Sequence, residues 1–139
     1  MGFYDFKQGR KDVLSIINSK TPIKEKDSIP GENEFTFENG VKTWVASLFV
    51  DIVDSTKYFQ NSSVNKDMLS RIIRSFVEQI VIILNENESK VEIGIRGDCV
   101  YAIFDAQYKE TLLEIFRTAY CINTFLKMFK KILSDYSLP

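Results

Sequence analysis

Histidine is absent from this chain, and cysteine occurs only twice in its 139 residues, as Cys99 and Cys121. Without imidazoles or a CxxC pair, a zinc site of nitrogen and thiolate ligands has almost nothing to be assembled from. Proline is held to three positions and glycine to six, which excludes collagenous and low-complexity compositions. No apolar run approaches the roughly 20 residues that a bilayer span requires. The first twenty residues carry Asp5, Lys7, Arg10, Lys11 and Asp12 between their apolar positions, so neither a signal peptide nor a membrane helix is expected. Charge of one sign is not in excess: 18 Lys and Arg face 19 Asp and Glu, a net charge of −1. With no basic block to neutralise phosphates, nucleic acid is not an expected partner. The cysteine usage and the lack of a leader point to the reducing cytoplasm.

What is present is the composition of a soluble globular domain: 45% hydrophobic, 13% aromatic and 27% charged residues. The length suffices to bury an apolar core without disulfide or metal staples. Val13, Leu14, Ile16 and Ile17 predict a short amphipathic helix over about Lys7–Ser19. The charged, Pro- and Gly-containing stretch from Ser19 to Gly40 reads as a connecting arm, with one short extended piece at Phe35–Phe37. Residues 1–40 are therefore taken as helix and arm, and 41–139 as the domain proper.

Within that domain, TWVASLFVDIV (Thr43–Val53) is nearly continuous in apolar and β-branched residues, as a central strand covered on both faces would be. A helix is predicted over Lys66–Leu84, where Leu69, Ile72, Ile73, Phe76, Val77, Ile80, Ile83 and Leu84 follow the i, i+3, i+4 rhythm. KVEIGI and CVYAIF, joined around Gly97 and Asp98, predict a β-hairpin. A second long helix, about Tyr108–Leu133, repeats the apolar periodicity. The order β, α, β, β, α points to an α+β (α/β) fold of ferredoxin-like type, in which one further strand after the last helix would complete the sheet.

Asp51 stands inside an apolar run, where an unpaired buried carboxylate costs several kcal/mol. Period-two alternation puts it on one face with Ser47, Phe49 and Val53, while Leu48, Val50 and Ile52 point the other way. The plain alternative is a strand-end Asp that caps a turn or pairs with a basic side chain. Asp98, after Gly97 at the hairpin tip, equally suits turn chemistry alone. Together, however, a hairpin tip level with the end of the first strand would gather two carboxylates into a hard, all-oxygen site suited to Mg²⁺ or Mn²⁺. Ser55 and Thr56 follow as helix-capping residues at a terminus favourable to a polyphosphate.

FVDIVDST, a long helix and then IGIRGDCVYAIF resemble the first part of a class III nucleotidyl cyclase catalytic domain, over about Thr43–Phe129. The resemblance implies two divalent cations, Mg²⁺ or Mn²⁺, held by Asp51, Asp98 and the backbone carbonyl of Ile52. It also implies a triphosphate wrapped by the Ser55–Thr56 turn, and an active site formed between two protomers of a homodimer. SIPGENEFTFENG, the DST-K form of the loop and RGDCVYAIFDA are further similar to the pyrimidine cyclases of Pycsar-type anti-phage defence, whose product would be sensed by a separate effector. Purine cyclases of this class place a base-reading Lys four positions before the hairpin Asp, and here Gly94 stands there. That substitution favours UTP or CTP over ATP or GTP, with Gly94 and Phe49 as the base-pocket positions. The transition-state Asn and Arg of the class find no match here, so the chain resembles the N-terminal part of such a domain, and the fragment alone is expected to be inactive. The competing expectations are a purine cyclase that reads its base by other residues, or an inactive cyclase-like module for dimerisation or nucleotide sensing.

Overall fold

The computed structural model describes residues 3–34, 36, 38–53, 60 and 65–135, in two compact units. The first unit comprises residues up to 26 together with 30–42. Its helix α1 (Phe6–Asn18) starts at Asp5, whose carboxylate accepts from the backbone N–H groups of Lys7 and Gln8 at 2.9 and 3.1 Å, satisfying two donors that a helix start leaves unpaired. None of its residues is buried, Val13, Leu14, Ile16 and Ile17 included.

The arm is less simple than its composition suggests. Ile23–Glu25 (β1) pairs in parallel with Gly40–Lys42 (β2), and a 3₁₀ turn at Glu32–Glu34 lies between them. Ion pairs Lys42–Glu25, at 2.8 Å, and Lys26–Glu34 flank the ladder. The lysine beside Glu34 holds that carboxyl below the usual glutamate range, by its hydrogen bond first and its charge second. Extended backbone thus falls at 23–25 and 40–42; Phe35 and Phe37, where it was expected, lie outside the described residues.

The second unit, residues 27–29 and 43 onward, holds the core. Three strands run in the order β3 (Val45–Val50), β5 (Cys99–Asp105), β4 (Lys90–Arg96), all antiparallel. Helices α2 (Lys66–Asn85) and α3 (Lys109–Asp135) cover one face of this sheet. Phe76, Ile80 and Leu84 of α2 and Ile115, Ile122 and Phe125 of α3 pack with Val100, Ala102 and Phe104 of β5. Ala46, Leu48, Val50 and Ile52 add the inward side of β3. The side chains of Phe104, Ile80, Leu84 and Val100 are fully buried. Asn65 caps α2, its side chain accepting from Asp67 and Met68 N–H.

Two expectations are corrected here. Among the described residues the strand read as central pairs on one side only, and β5 is the middle strand. Nor is β3 covered on both sides: its residues alternate exposed and half-buried, with Val45 53% and Phe49 68% exposed. Apolar residues on both faces of a strand reveal what it avoids, not which strands flank it. Both helices, and the hairpin with its two-residue loop Gly97–Asp98, stand where periodicity placed them.

Candidate metal and triphosphate site

The hairpin turn sets the geometry of the whole site. Gly97 occupies the first loop position at φ +63°, which the right-handed twist of a hairpin demands and which glycine adopts without steric cost. From this two-residue turn the register follows by counting: Arg96 opposite Cys99, Ile95 opposite Val100 and Gly94 opposite Tyr101. On the other flank of β5, Val50 lies opposite Val100 and Phe49 opposite Tyr101. Asp51 is the first residue past the Val50–Val100 pair, and Asp98 is two residues before Val100. The two carboxylates therefore sit on neighbouring chain segments at the same end of the sheet, and paired backbones run about 5 Å apart.

Asp51 is exposed, and one of its oxygens accepts from the N–H of Ile52 at 3.0 Å. No basic side chain pairs with it among the described residues. Asp98 is half-buried, and its Oδ2 is closed off from solvent without a hydrogen-bond partner among the described residues. An orphaned carboxylate oxygen is costly, and a turn Asp with no more than a conformational task has no need of one. Among the described residues no three His, Cys, Asp or Glu side chains cluster as a metal cage. Two carboxylates and a backbone carbonyl nevertheless make the sparse oxygen donor set that a Mg²⁺-like ion, which keeps water or phosphate oxygens in its shell, is suited to. Ser55 and Thr56 lie outside the described residues.

Behind the end of β3, a cavity of about 370 Å³ opens between the two helices, with Ile72, Phe76, Leu126 and Phe129 in its walls and Asp51 and Lys130 among its polar lining. A larger hollow of about 700 Å³, beside Asn87 and Thr118, includes neither Asp51 nor Asp98 in its lining.

On the open face of the sheet, three positions lie in one row: Phe49, Tyr101 and Gly94. The rings of Phe49 and Tyr101 stack at 5.9 Å between centroids, 26° apart in plane. The Tyr101 hydroxyl donates to Glu92 Oε1 at 2.9 Å. That hydrogen bond, and then the carboxylate's charge, raise the Tyr101 phenol above the ordinary tyrosine range, so that it stays protonated. Phe49 and Gly94, read separately in the sequence, are thus brought into one surface by a residue that reading had passed over. The signal was available: once Gly97–Asp98 is taken as a two-residue loop, Tyr101 must face Gly94.

No protein-family model matches the chain. Among curated proteins it is 42% identical over 136 residues, 98% of its length, to a protein named Uridylate cyclase from Treponema porcinum. It is 35% identical over 101 residues, 73% of its length, to another of that name from Gulbenkiania mobilis. The aligned parts amount to 47% and 39% of those proteins, so the chain spans about half the length of the curated relatives it matches or less. The resemblance carried by FVDIVDST and IGIRGDCVYAIF accordingly extends beyond those motifs along nearly the whole chain.

Proposed function

We propose, for a chain so related to uridylate cyclases, that it is the metal- and triphosphate-binding part of a class III-type nucleotidyl cyclase that converts UTP to its 3′,5′-cyclic monophosphate and pyrophosphate. The observation that carries this reading is the register Val50–Val100, which brings the chain segments of Asp51 and Asp98 together, while Asp98 Oδ2 has no hydrogen-bond partner among the described residues. Asp51, Asp98 and the Ile52 carbonyl would hold two divalent ions, Mg²⁺ or Mn²⁺. Bound there, such ions lower the pKa of an attacking hydroxyl and offset charge that builds on transferring phosphates.

The chain's own contribution is placement. In the reaction the ribose 3′ oxygen bonds to the α-phosphorus as its proton passes to solvent, and the bond from that phosphorus to the bridging oxygen breaks, its electron pair leaving with pyrophosphate. Through the ions they would hold, Asp51 and Asp98 would fix the phosphate end of the substrate at the rim of the sheet. Ser55 and Thr56, which follow in sequence, would supply hydroxyl and N–H groups to the triphosphate. Phe49, two residues before Asp51 in sequence and exposed on β3, would offer the base an aromatic surface. The working unit is a cytoplasmic homodimer of ferredoxin-like α+β protomers, and the cyclic product serves as a second messenger in anti-phage defence, read by a separate effector. Uracil is favoured over cytosine by the names of the relatives, and a purine is disfavoured by Gly94.

Incubation of the full-length protein with each of the four ribonucleoside triphosphates and Mn²⁺ or Mg²⁺, followed by chromatographic separation, tests this directly. Cyclic UMP is the expected main product. Cyclic AMP or GMP in its place would overturn the pyrimidine reading, and no cyclic product with any triphosphate would overturn the cyclase reading itself.

A further inference from the structure

Phe6, Val13, Leu14, Ile16 and Ile17 of α1 are all exposed, Phe6 to 80% and Ile17 to 70%. At about 100° per residue, Phe6, Val13 and Ile17 fall on one line along the helix, with Leu14 to one side of it and Ile16 to the other. Such a stripe on a surface helix ordinarily faces a core, yet no residue of α1 is buried. The N-terminal end adds aromatic surface. Tyr4 folds back over the first turn, where a β-carbon on Gly9 would stand 1.9 Å from the tyrosine hydroxyl oxygen and 2.6 Å from Cζ. Glycine at 9 is what lets the ring lie there. That ring meets Phe6 edge to face, with 5.0 Å between centroids, and stays 67% exposed. Phe3 beside it is exposed throughout.

The charges left free around the stripe are of one sign. Lys7 and Lys11 border it beyond Leu14, and Arg10 stands inside the apolar arc, between Ile17 and Leu14. The carboxylates are engaged by the helix itself: Asp5 accepts from the N–H groups of Lys7 and Gln8, and Asp12, on the opposite side, accepts from Gln8 Nε2 at 2.8 Å. None of the three cations forms an ion pair among the described residues. A second copy of α1 laid on the stripe would set these cations against their own kind, and an apolar core has no place for the Arg10 guanidinium. A bilayer interface accommodates it, since an arginine there lays its stem along apolar surface and lifts its charged head to the lipid phosphates. We propose that α1, with Phe3 and Tyr4, is a membrane-surface anchor that lies flat on a bilayer containing anionic lipid. Phe6, Val13, Ile16 and Ile17 enter below the headgroups, and Lys7, Arg10 and Lys11 sit among the phosphates. The 13 residues of α1 rise about 20 Å, too little to cross about 30 Å of hydrocarbon, so the helix rests on the membrane without spanning it. Tyr4, an apolar ring with a polar tip, suits the same boundary.

The experiment floats the full-length protein with vesicles of phosphatidylcholine alone and of phosphatidylcholine with phosphatidylglycerol in equal parts, at low and at high salt. The unsubstituted protein is expected to partition about tenfold or more in favour of the anionic vesicles, a preference that added salt erases. Arg10→Gln combined with Lys11→Gln should weaken binding to anionic vesicles by about fivefold for each charge removed, and leave binding to phosphatidylcholine alone unchanged. Ile17→Asp should weaken binding to both by about tenfold or more. Because these side chains are exposed in α1, the variants should melt with the unsubstituted protein; should Ile17→Asp fail to fold, the charge variant decides. No flotation with anionic vesicles overturns the proposal, and so does flotation that the variants leave undiminished. A protein that ignores vesicles while Ile17→Asp lowers its sedimentation coefficient would assign the stripe to a contact between copies, and overturn the proposal equally. No nucleotide enters the measurement, so its outcome is independent of the cyclase reading.

Discussion

At the scale of single residues, what separates Asp98 from an ordinary turn aspartate is a buried Oδ2 without a hydrogen-bond partner among the described residues. A hairpin that needed only a compliant residue after Gly97 would be served as well by asparagine. The expected result of Asp98→Asn is therefore loss of metal-dependent nucleotide turnover by about 10²-fold or more. Its thermal midpoint should be unchanged or raised, since an unpaired carboxylate is replaced by a neutral amide. Asp51→Asn should behave in the same way, because its hydrogen bond among the described residues, from Ile52 N–H, is to an oxygen that asparagine retains. Activity assays run beside thermal melts on the same samples check this. Variants that melt early yet keep turning over nucleotide would return both residues to a structural role.

The secondary-structure elements show how much of this was legible in sequence and why the remainder was not. Helices α2 and α3 could be read because one side of each meets the sheet: Leu69, Ile72, Phe76, Ile80 and Leu84 recur at the helical period and are the buried residues of α2. The hairpin could be read because Gly97 marks a two-residue turn. The single pairing of β3 among the described residues could not, since Val45 and Phe49 on its outward side look like core residues until the pairing is known. The parallel ladder of β1 and β2 was equally hidden, because IKE and GVK are three-residue, largely exposed segments whose partners lie outside any local pattern. Of the candidate site, the two carboxylates were legible as types in context, whereas Tyr101 emerges only from register. Asn87 was passed over as part of the turn NENES, yet it is buried and joins the loop after α2 to α3. Its amide donates to Thr118 Oγ1 at 2.9 Å and its carbonyl oxygen accepts from the Ser89 N–H at 3.0 Å. Asn87→Ala leaves those partners unsatisfied and should cost about 1–3 kcal/mol in urea unfolding, whereas Asn85→Ala, whose side chain meets only the exposed Lys90 amine, should cost less than about 1 kcal/mol. Equal losses from the two would show that the Asn87 bonds are not what secures the loop.

At the scale of the molecule, the second unit has one finished face and one unfinished one. Helices α2 and α3 cover the inner side of the sheet, while Val45, Ser47 and Phe49 stand exposed on the outer side. Among the described residues, β3 pairs with β5 alone, so its outer edge carries unpaired backbone groups. Exposed apolar faces and open edges of this kind are where further chain or a second subunit docks. The same face carries Phe49 and Tyr101, so a subunit that covers it would also cover the aromatic surface of the proposed site. Ser47 tests that link: it is exposed on the open face, opposite Ile103 and two residues from Phe49, without being placed in the chemistry. Ser47→Arg should weaken self-association of the full-length protein about tenfold or more in sedimentation velocity, as a charge confined in an interface without a partner does. Turnover per protomer should fall at low protein concentration and recover as concentration rises, following the dimer fraction. A variant that sediments as a monomer and yet turns over nucleotide at the unsubstituted rate at every concentration would mean that one protomer holds a complete site, and that the open face serves something other than catalysis.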